Sequence, residues 1–435
     1  MTDLYNPPLD KRLLHLPMIQ IILHFYLHQP FRLKNYPFFN IGSDHYYYDD
    51  FANEEILRQV VDRSYRPALE LIEQLIEAHP DFRVALTLSG SVLTQMELHT
   101  PDMIQLLKRL VKSGRIEILG EPISHGLCGL YDEEEYANQL RMYRTRISSL
   151  LGVSPVTLSN PELIYSDRIA QIAHSQGYKA IVTEGAKHLL AWKSPNYLYN
   201  ATTEGVALLM RHAELSDAIA HDFARYDSPL YPYTTERFFA TLEAEQGDYA
   251  LVSLPLETLG SVWSRETGIF EFLRALPEQG SKRGFTFTTP QEIATHCTPQ
   301  DTIQATYPVS RMGEERDTSL WTGNELQQCV IQKLEEWGER IRLSRDQRLL
   351  EDWINLQGSD HLFYMTTKLG GPGAFSPYET PYAAFTNYMN VLSDFLLRVS
   401  AEYPTSMGNE ELSALLQTIE NQNKKIAQLE AQLAK

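Results

Sequence analysis

The chain has 435 residues, is 43 % hydrophobic and carries a formal charge of −18, so it is long enough for one large domain and a smaller one. The negative charge argues against nucleic acid or an anionic membrane as a partner and is compatible with a neutral ligand. The cysteines, Cys128, Cys297 and Cys329, form no CxxC pair, so neither a disulfide framework nor a zinc knuckle is indicated. We see no signal-peptide pattern and no apolar run long enough to span a bilayer, and therefore expect a cytoplasmic protein.

Short β-branched runs alternate with longer amphipathic stretches up to residue 305. The pattern predicts strands at residues 19–27, 82–89, 115–119, 156–158, 178–183, 206–210 and 249–254. Helix-like segments lie between them, the clearest at residues 54–78, 92–112, 133–151 and 167–176. Sustained strand–helix alternation predicts a parallel sheet, and this length favours a β/α barrel for residues 1–305, with functional groups at the carboxyl ends of its strands.

The pattern becomes helical after Pro308, and we expect a helical bundle subdomain over residues 306–404 that completes the cleft. Residues 405–435 predict a short coiled-coil helix, because apolar residues recur there every three or four positions with one polar exception. Those positions are Leu412, Leu415, Ile419, Gln422, Ile426, Leu429 and Leu433. A coiled-coil helix with so few heptads is only marginally stable by itself. The tail therefore either forms a homo-oligomer through residues 409–435 or docks on the rest of its own chain.

The segment AsnProGluLeuIleTyrSerAsp at 160–167 places Glu162 directly after a predicted strand and before a predicted helix. On a barrel this is the catalytic rim, where a carboxylate acts as a nucleophile or general base. The structural alternative is that Glu162 caps the following helix, since carboxylates favour helix N-termini.

Two further clusters lie at the ends of predicted strands. HisGlnPro at 28–30 ends the first strand, so His28 should point into the mouth of the barrel. Its spacing from His24 suits a helical metal site rather than a strand, and a hydrogen-bonding histidine is the better interpretation. Glu121 and His125 follow the third strand; the alternatives are a surface carboxylate and a loop histidine. We predict neither a metal nor another cofactor.

In this order the segments resemble glycoside hydrolase family 57, in particular its α-amylase and α-amylase-like members. The resemblance covers about residues 19–400 and rests on HisGlnPro at 28–30, GlyArgIleGluIleLeuGlyGlu at 114–121 with His125, and AsnProGluLeuIleTyrSerAsp at 160–167. It implies an incomplete seven-stranded β/α barrel followed by a helical bundle. It also implies retaining chemistry on α-1,4-glucans such as maltooligosaccharides, with Glu162 as the nucleophile and no metal.

The chain departs from the family where the second catalytic carboxylate is expected. The family segment resembles AspTyrGluThrPheGly, but here residues 255–260 read ProLeuGluThrLeuGly, so Pro255 occupies the acid/base position. Glu257 is a candidate substitute acid because it lies two residues further on, although the family already has a glutamate there. Further departures lie at Pro122, Ile123, Val262 and Gly313.

The resemblance also suggests substrate-binding residues, some of which have an ordinary structural alternative. They are His28, Glu121, His125, Trp263, Asp317 and Trp321. The tryptophans are suited to stacking on sugar faces, although a role in the core is commoner for this residue.

Three functional hypotheses follow from these residues. The first is an α-glucan-related, α-amylase-like protein that is catalytically impaired because Pro255 replaces the acid while Glu162 is kept. The second is an active retaining α-amylase or 4-α-glucanotransferase that uses a substitute acid. The third is an oligomeric structural or regulatory carbohydrate-binding protein.

Overall fold

The computed structural model describes residues 19–373, 376–402, 418–419 and 421–426. The chain divides into two compact units, one formed by residues up to Pro30 with Asp50–Thr318 and the other by Phe31–Asp49 with residues from Ser319 onward. The sequence-based boundary at residue 305 stays a prediction, and residues 306–318 group with the first unit. Most of the predicted coiled-coil tail lies outside the described residues.

The described part of the first unit contains ten strands: β1 Gln20–Leu27, β2 Val84–Leu88, β3 Ile116–Leu119, β4 Thr157–Ser159, β5 Ala180–Glu184, β6 Tyr199–Ala201, β7 Ala207–Arg211, β8 Tyr249–Pro255, β9 Thr286–Thr288 and β10 Thr302–Ile303. Parallel pairing joins β4, β5, β7, β8, β1, β2 and β3 in that order. A parallel bridge between Gly120 and Leu158 connects β3 back to β4. The seven strands therefore close into a β/α barrel, as the sequence predicted.

Helices cover the outside of this barrel. In the described residues of the first unit they are α1 Asp50–Val60, α2 Arg66–Ala78, α3 Gly90–His99, α4 Pro101–Lys112, α5 Glu133–Leu151, α6 Asp167–Ser175, α7 Lys187–Leu190, α8 Ala213–Asp217, α9 Thr235–Glu243, α10 Ile269–Arg283 and α11 Pro290–His296. The predicted single helix at 92–112 is two helices, because Thr100 precedes Pro101 and adopts φ −142° and ψ 60° outside the helical region. The predicted helix at 54–78 is interrupted by a π-helical stretch, Val61–Tyr65.

The barrel strands are apolar on both faces. Outward residues such as Ile21 and Leu23 pack in the large cluster that includes the helices. Inward residues such as Ile22 and Leu251 form a smaller cluster inside the barrel. Burial on both faces explains why these strands read as short continuous apolar runs.

The described part of the second unit is mainly helical, with α12 Ser319–Thr322, α13 Glu325–Arg342, α14 Gln347–Leu356, α15 Ser359–Phe363 and α16 Pro381–Glu402. On α13, Val330, Leu334 and Ile341 are buried. Trp353 of α14 stacks on Phe395 of α16 with ring centroids 6.2 Å apart. Within the described residues, no helix has the length and apolar character needed to cross a membrane.

Candidate active site

The floor of the candidate site is formed by a buried histidine on β1. The two ring nitrogens of His24 lie 2.8 Å from Ser253 Oγ and 2.8 Å from Thr87 Oγ1. Burial lowers the pKa of His24 to about 3, so its imidazole is neutral near pH 7. The neutral ring lies between a hydroxyl on β8 and a hydroxyl on β2 and so connects β1 with both of its neighbours. At this level of the barrel, the inward-facing residues change from apolar to polar.

Glu162 lies at the rim of the barrel, in a short 3-10 turn between β4 and α6. It adopts φ 53°, a left-handed conformation that non-glycine residues seldom adopt. Asn160 holds the turn through Nδ2, which donates to the carbonyl of Ile164 at 2.9 Å. The cap of α6 is Ser166, whose Oγ accepts from the Ile169 amide at 3.4 Å. Helix capping therefore does not account for Glu162.

The Glu162 carboxylate forms an ion pair with an arginine of the 309–318 loop. Arg311 Nη2 lies 2.6 Å from Glu162 Oε2, and the Arg311 amide donates to the Glu162 carbonyl at 2.9 Å. The Arg311 guanidinium lies 5.0 Å from the ring centroid of Tyr26. Backbone, charge and aromatic contacts thus fix Arg311 against the predicted nucleophile.

A second group of charged residues continues from this loop into the barrel. Arg316 donates to the Arg311 carbonyl and pairs through Nη2 with Asp217 Oδ2 at 3.0 Å. Asp217 also pairs with Arg211, whose Nη1 lies 3.1 Å from Glu184 Oε2. Glu184 and Arg211 are almost completely buried, and each is neutralised by the other, as buried charges require.

Pro255 ends β8 beside Tyr26, its partner in the register between β1 and β8. Because Ser253 contacts His24 inside the barrel, the strand period of two puts Pro255 on the same inward face. Its side chain has no ionisable group. At this position the rim offers a hydrocarbon surface and no proton donor.

Glu257 lies in the turn that follows Pro255. Its Oε1 accepts from the Tyr65 hydroxyl and from Gln29 Nε2, the latter at 3.3 Å. Burial raises the pKa of Glu257 to about 7, against the opposing effect of these hydrogen bonds. About half of the Glu257 carboxyl groups are therefore protonated at neutral pH, which is a useful state for a general acid.

His28, Glu121 and His125 lie together beyond the ends of β1 and β3. The His28 and His125 rings stack with centroids 3.7 Å apart. His125 Nδ1 lies 2.9 Å from Glu121 Oε2, and both side chains are buried. Glu121 is therefore not a surface carboxylate, whereas His125 lies in the loop after β3 with its Nδ1 paired to Glu121, as the loop-histidine alternative has it.

The buried polar atoms that have no hydrogen-bond partner among the described residues include the Tyr26 hydroxyl and Glu121 Oε1. Both residues border one small pocket, together with Thr87, His125, Glu162 and Arg311. A buried polar atom without a partner costs about 1–3 kcal/mol, and a ligand rich in hydroxyl groups can satisfy it.

The remaining predicted substrate-binding residues have other contacts. Trp263 Nε1 donates to the carbonyls of Ile219 at 2.9 Å and Ala220 at 3.2 Å. Trp321 is 2 % exposed, and its ring packs near Phe363 in the second unit. Asp317 lies in the Arg311 loop, where its carbonyl accepts from Ser310 Oγ at 2.6 Å. Their roles in sugar binding stay predictions.

Sequence reasoning did not select Arg311, Asp217 or Tyr65. Arg311 lies just before GlyGluGluArgAsp at 313–317, and no spacing connects it with Glu162, which is far away in the chain. Tyr26 could have been found, since it shares a strand face with His24 and His28. Among the described residues, no group of three or more His, Cys, Asp or Glu side chains is arranged to hold a metal ion.

A closed barrel of parallel strands with carboxylates at their carboxyl ends defines a β/α-barrel protein with an enzyme-type site. The model of the family "Glycosyl hydrolase family 57" matches residues 22–306. The chain therefore belongs to glycosyl hydrolase family 57.

The relatives agree with this assignment. A protein of Methanocaldococcus jannaschii named "Putative alpha-amylase" is 33 % identical over 393 residues, covering 86 % of this chain and 84 % of that protein. A family 57 branching enzyme from Thermococcus kodakaraensis superposes with TM-score 0.66 at 14 % identity, covering 92 % of this chain and 94 % of the other. A 4-alpha-glucanotransferase from Thermococcus litoralis gives TM-score 0.60 at 16 % identity, covering 87 % of this chain but only 60 % of its own. At these identities the solved structures show the shared fold.

Proposed function

We propose that this protein binds an α-glucan, such as a maltooligosaccharide, at the rim of its barrel and hydrolyses it poorly. The relatives named as α-amylase, glucanotransferase and branching enzyme support the substrate class. One observation carries the proposed impairment. The rim keeps the carboxylate of Glu162, whereas the apolar residue Pro255 lies where the proton donor is expected.

The binding part of the proposal rests on the pocket beside Glu162. The unpartnered Tyr26 hydroxyl and Glu121 Oε1 provide a donor and an acceptor for sugar hydroxyls. The charged groups nearby are paired with one another, as Glu162 is with Arg311. A neutral polyhydroxylated ligand fits such a site better than an ion, because it does not have to break these pairs.

The chemical part follows from the demands of glycoside cleavage. Retaining enzymes use one carboxylate to attack the anomeric carbon and a second group to protonate the leaving oxygen. Loss of a positioned acid costs about 10²–10⁴-fold in rate, or about 3–5.5 kcal/mol of barrier. A sugar leaving group suffers this whole loss, because an alkoxide departs slowly at neutral pH.

Calorimetric titration with maltoheptaose, paired with an assay for reducing ends, tests the proposal. We expect saturable binding and little hydrolysis, with the residual hydrolysis abolished in Glu162→Gln. Absence of binding at millimolar ligand would refute glucan recognition. Rapid release of reducing ends would refute the impairment.

One observation favours a second candidate function, an active retaining hydrolase or transferase with Glu257 as its acid. Glu257 follows Pro255 on the rim, and its pKa is raised to about 7 by burial. Its bonds to Tyr65 and Gln29 fix the carboxyl. Under this alternative, Glu257→Gln removes reducing-end release as completely as Glu162→Gln does. Equal residual rates in Glu257→Gln and the unmodified protein would exclude it.

We also propose a cytoplasmic location, since the three cysteines are unbridged.

We further propose self-association through residues 409–435. This proposal rests on the heptad pattern of the tail, and self-association would bring several glucan sites into one particle. Light scattering should give a smaller particle after deletion of residues 405–435. The same number of chains per particle with and without the tail would rule out this role.

A further inference from the structure

We infer that Arg311 is a positioning residue for the nucleophile Glu162, and that Asp217 and Arg316 set Arg311 in place. The inference rests on the proposed function of the same site. It adds Arg311 and Asp217, which no sequence motif selected, and it gives a role to the paired charges around Glu162.

The first step is the direct contact. Arg311 Nη2 lies 2.6 Å from Glu162 Oε2, and both side chains are mostly buried, at 15 % and 19 % exposure. The planar guanidinium restricts the direction of the carboxylate, since it offers its donors in a fixed fork. The amide of Arg311 also binds the Glu162 carbonyl, so one residue constrains both the backbone and the side chain of Glu162.

The second step is the support of Arg311 itself. Arg316 adopts φ 52°, and its guanidinium reaches back to the Arg311 carbonyl. Its Nη2 is held 3.0 Å from Asp217 Oδ2. Asp217 ends α8 and is anchored in turn by the buried Arg211. A left-handed arginine persists only where its surroundings over-determine it, and here they do so by charge.

The third step is the chemistry that this arrangement serves. A carboxylate oxygen of Glu162 attacks the anomeric carbon, and the bond to the leaving group breaks with its electron pair leaving on that group. Water then attacks the same carbon, the ester to Glu162 breaks, and the proton of the water passes to solvent. The first step, in which the Glu162 oxygen forms its bond to the anomeric carbon, depends on the direction of the carboxylate and can be followed through the leaving group.

The experiment follows the first-turnover release of fluoride from α-maltosyl fluoride, because fluoride leaves without protonation and the missing acid, which is also the base of the second step, does not limit the first step. We expect Arg311→Gln to lower this first-turnover rate about 10²-fold with the half-saturating substrate concentration within about threefold, and Asp217→Asn to lower it about tenfold. Arg311→Lys should fall between Arg311→Gln and the unmodified protein, since it keeps the charge and loses the fork.

Arg144→Gln is the matched control. Arg144 is also an arginine packed on a tyrosine, with its guanidinium 4.5 Å from the ring centroid of Tyr178 and Nη1 donating to the Gln176 carbonyl, but it contacts no site residue named above. We expect it to leave the first-turnover rate unchanged. The inference is overturned if Arg311→Gln and Asp217→Asn behave like this control, or if the unmodified protein releases no fluoride. Calorimetry with maltoheptaose on each variant tests the proposed function separately, so glucan binding can persist while the inference fails.

Discussion

Several residues of the site occupy the left-handed region of backbone space. His125, Glu162 and Arg316 have φ of 54°, 53° and 52°, and each such residue costs about 1–3 kcal/mol. Each is held by a specific contact, for example the His125 amide on the Pro122 carbonyl at 2.8 Å. Backbone strain of this kind is retained where it orients a functional side chain. Here the strained residues are the predicted nucleophile itself and residues near it.

Replacing Pro255 with aspartate should restore glucan hydrolysis. Pro255 faces inward beside Tyr26 with φ −61°, a value that aspartate adopts without strain. A proton donor at this position should raise release of reducing ends from maltoheptaose on the order of 10²–10⁴-fold. Pro255→Asn is the control, because it has the same shape and no acidic proton. Equal rates in the two variants would show that position 255 does not limit the reaction.

The carboxyl of Glu257 should make folding stability depend on pH. Its folded pKa is raised from 4.5 to about 7, so the folded protein binds the extra proton and is favoured at low pH. This contribution is fully present below pH 4.5 and is lost as the pH rises through 7, by about 3 kcal/mol in total.

Denaturant unfolding of Glu257→Gln and the unmodified protein between pH 5 and pH 8 checks this expectation. The difference in unfolding free energy should move in favour of the variant as the pH rises. A constant difference would mean that Glu257 titrates normally and is already ionised at pH 5. That result would also remove the observation that favours Glu257 as an acid.

At the scale of elements, two π-helical stretches shape the rim. The first, Val61–Tyr65, supplies Tyr65 to Glu257. Gly260 lies against it with φ 104°, and a Cβ there would meet the Arg63 carbonyl oxygen at 2.0 Å. The second stretch, Ala218–Asp222, follows Asp217 directly. Such π-helical insertions often mark functional sites.

Trp263 anchors the π-helical stretch Ala218–Asp222. Replacing it should lower the stability of the fold and leave the affinity for sugar nearly unchanged. The indole donates to the carbonyls of Ile219 and Ala220. Trp263→Phe keeps an aromatic ring and removes the donor, which should lower the unfolding free energy by about 1–3 kcal/mol. We expect the affinity for maltoheptaose to stay within about twofold. A large loss of affinity with unchanged stability would instead support the sugar-stacking role predicted from the sequence.

The elements themselves could be read from the sequence to a large extent, because local patterns encode them. The apolar runs of the seven barrel strands and the amphipathic helix Glu133–Leu151 were foreseen. The π-helical stretches were not, because a single wide turn within a helix has no residue type or spacing of its own that the sequence would show. Glu162, His28, Glu121 and His125 were selected because they follow strands. Arg311 follows no strand, and its contact with Glu162 depends on the folded loop.

At the scale of the whole molecule, the sequence did not indicate that residues 31–49 belong to the second unit. This segment leaves the barrel after β1 and is held by α16: the Tyr36 amide donates to Asn387 Oδ1 at 2.7 Å, and the Gly42 amide donates to Asp394 Oδ1 at 2.6 Å. Contacts between residues so far apart in sequence leave no periodic signal. Long-range pairing of this kind has to be observed.

The net charge of −18 makes ionic strength a test of the ligand at this scale. A neutral glucan gains nothing from the field of the protein, and the ion pairs of the site stay closed when it binds. We therefore expect the Kd for maltoheptaose to change less than about twofold between about 50 mM and about 500 mM NaCl, although exposed charges are strongly screened over that range. The matched measurement uses glucose 1-phosphate, an anion that this charge repels, whose weak binding should strengthen as salt screens the repulsion. A glucan affinity that falls steeply with salt would show that the pocket binds its ligand through charge, and the assignment of a neutral sugar would then be wrong.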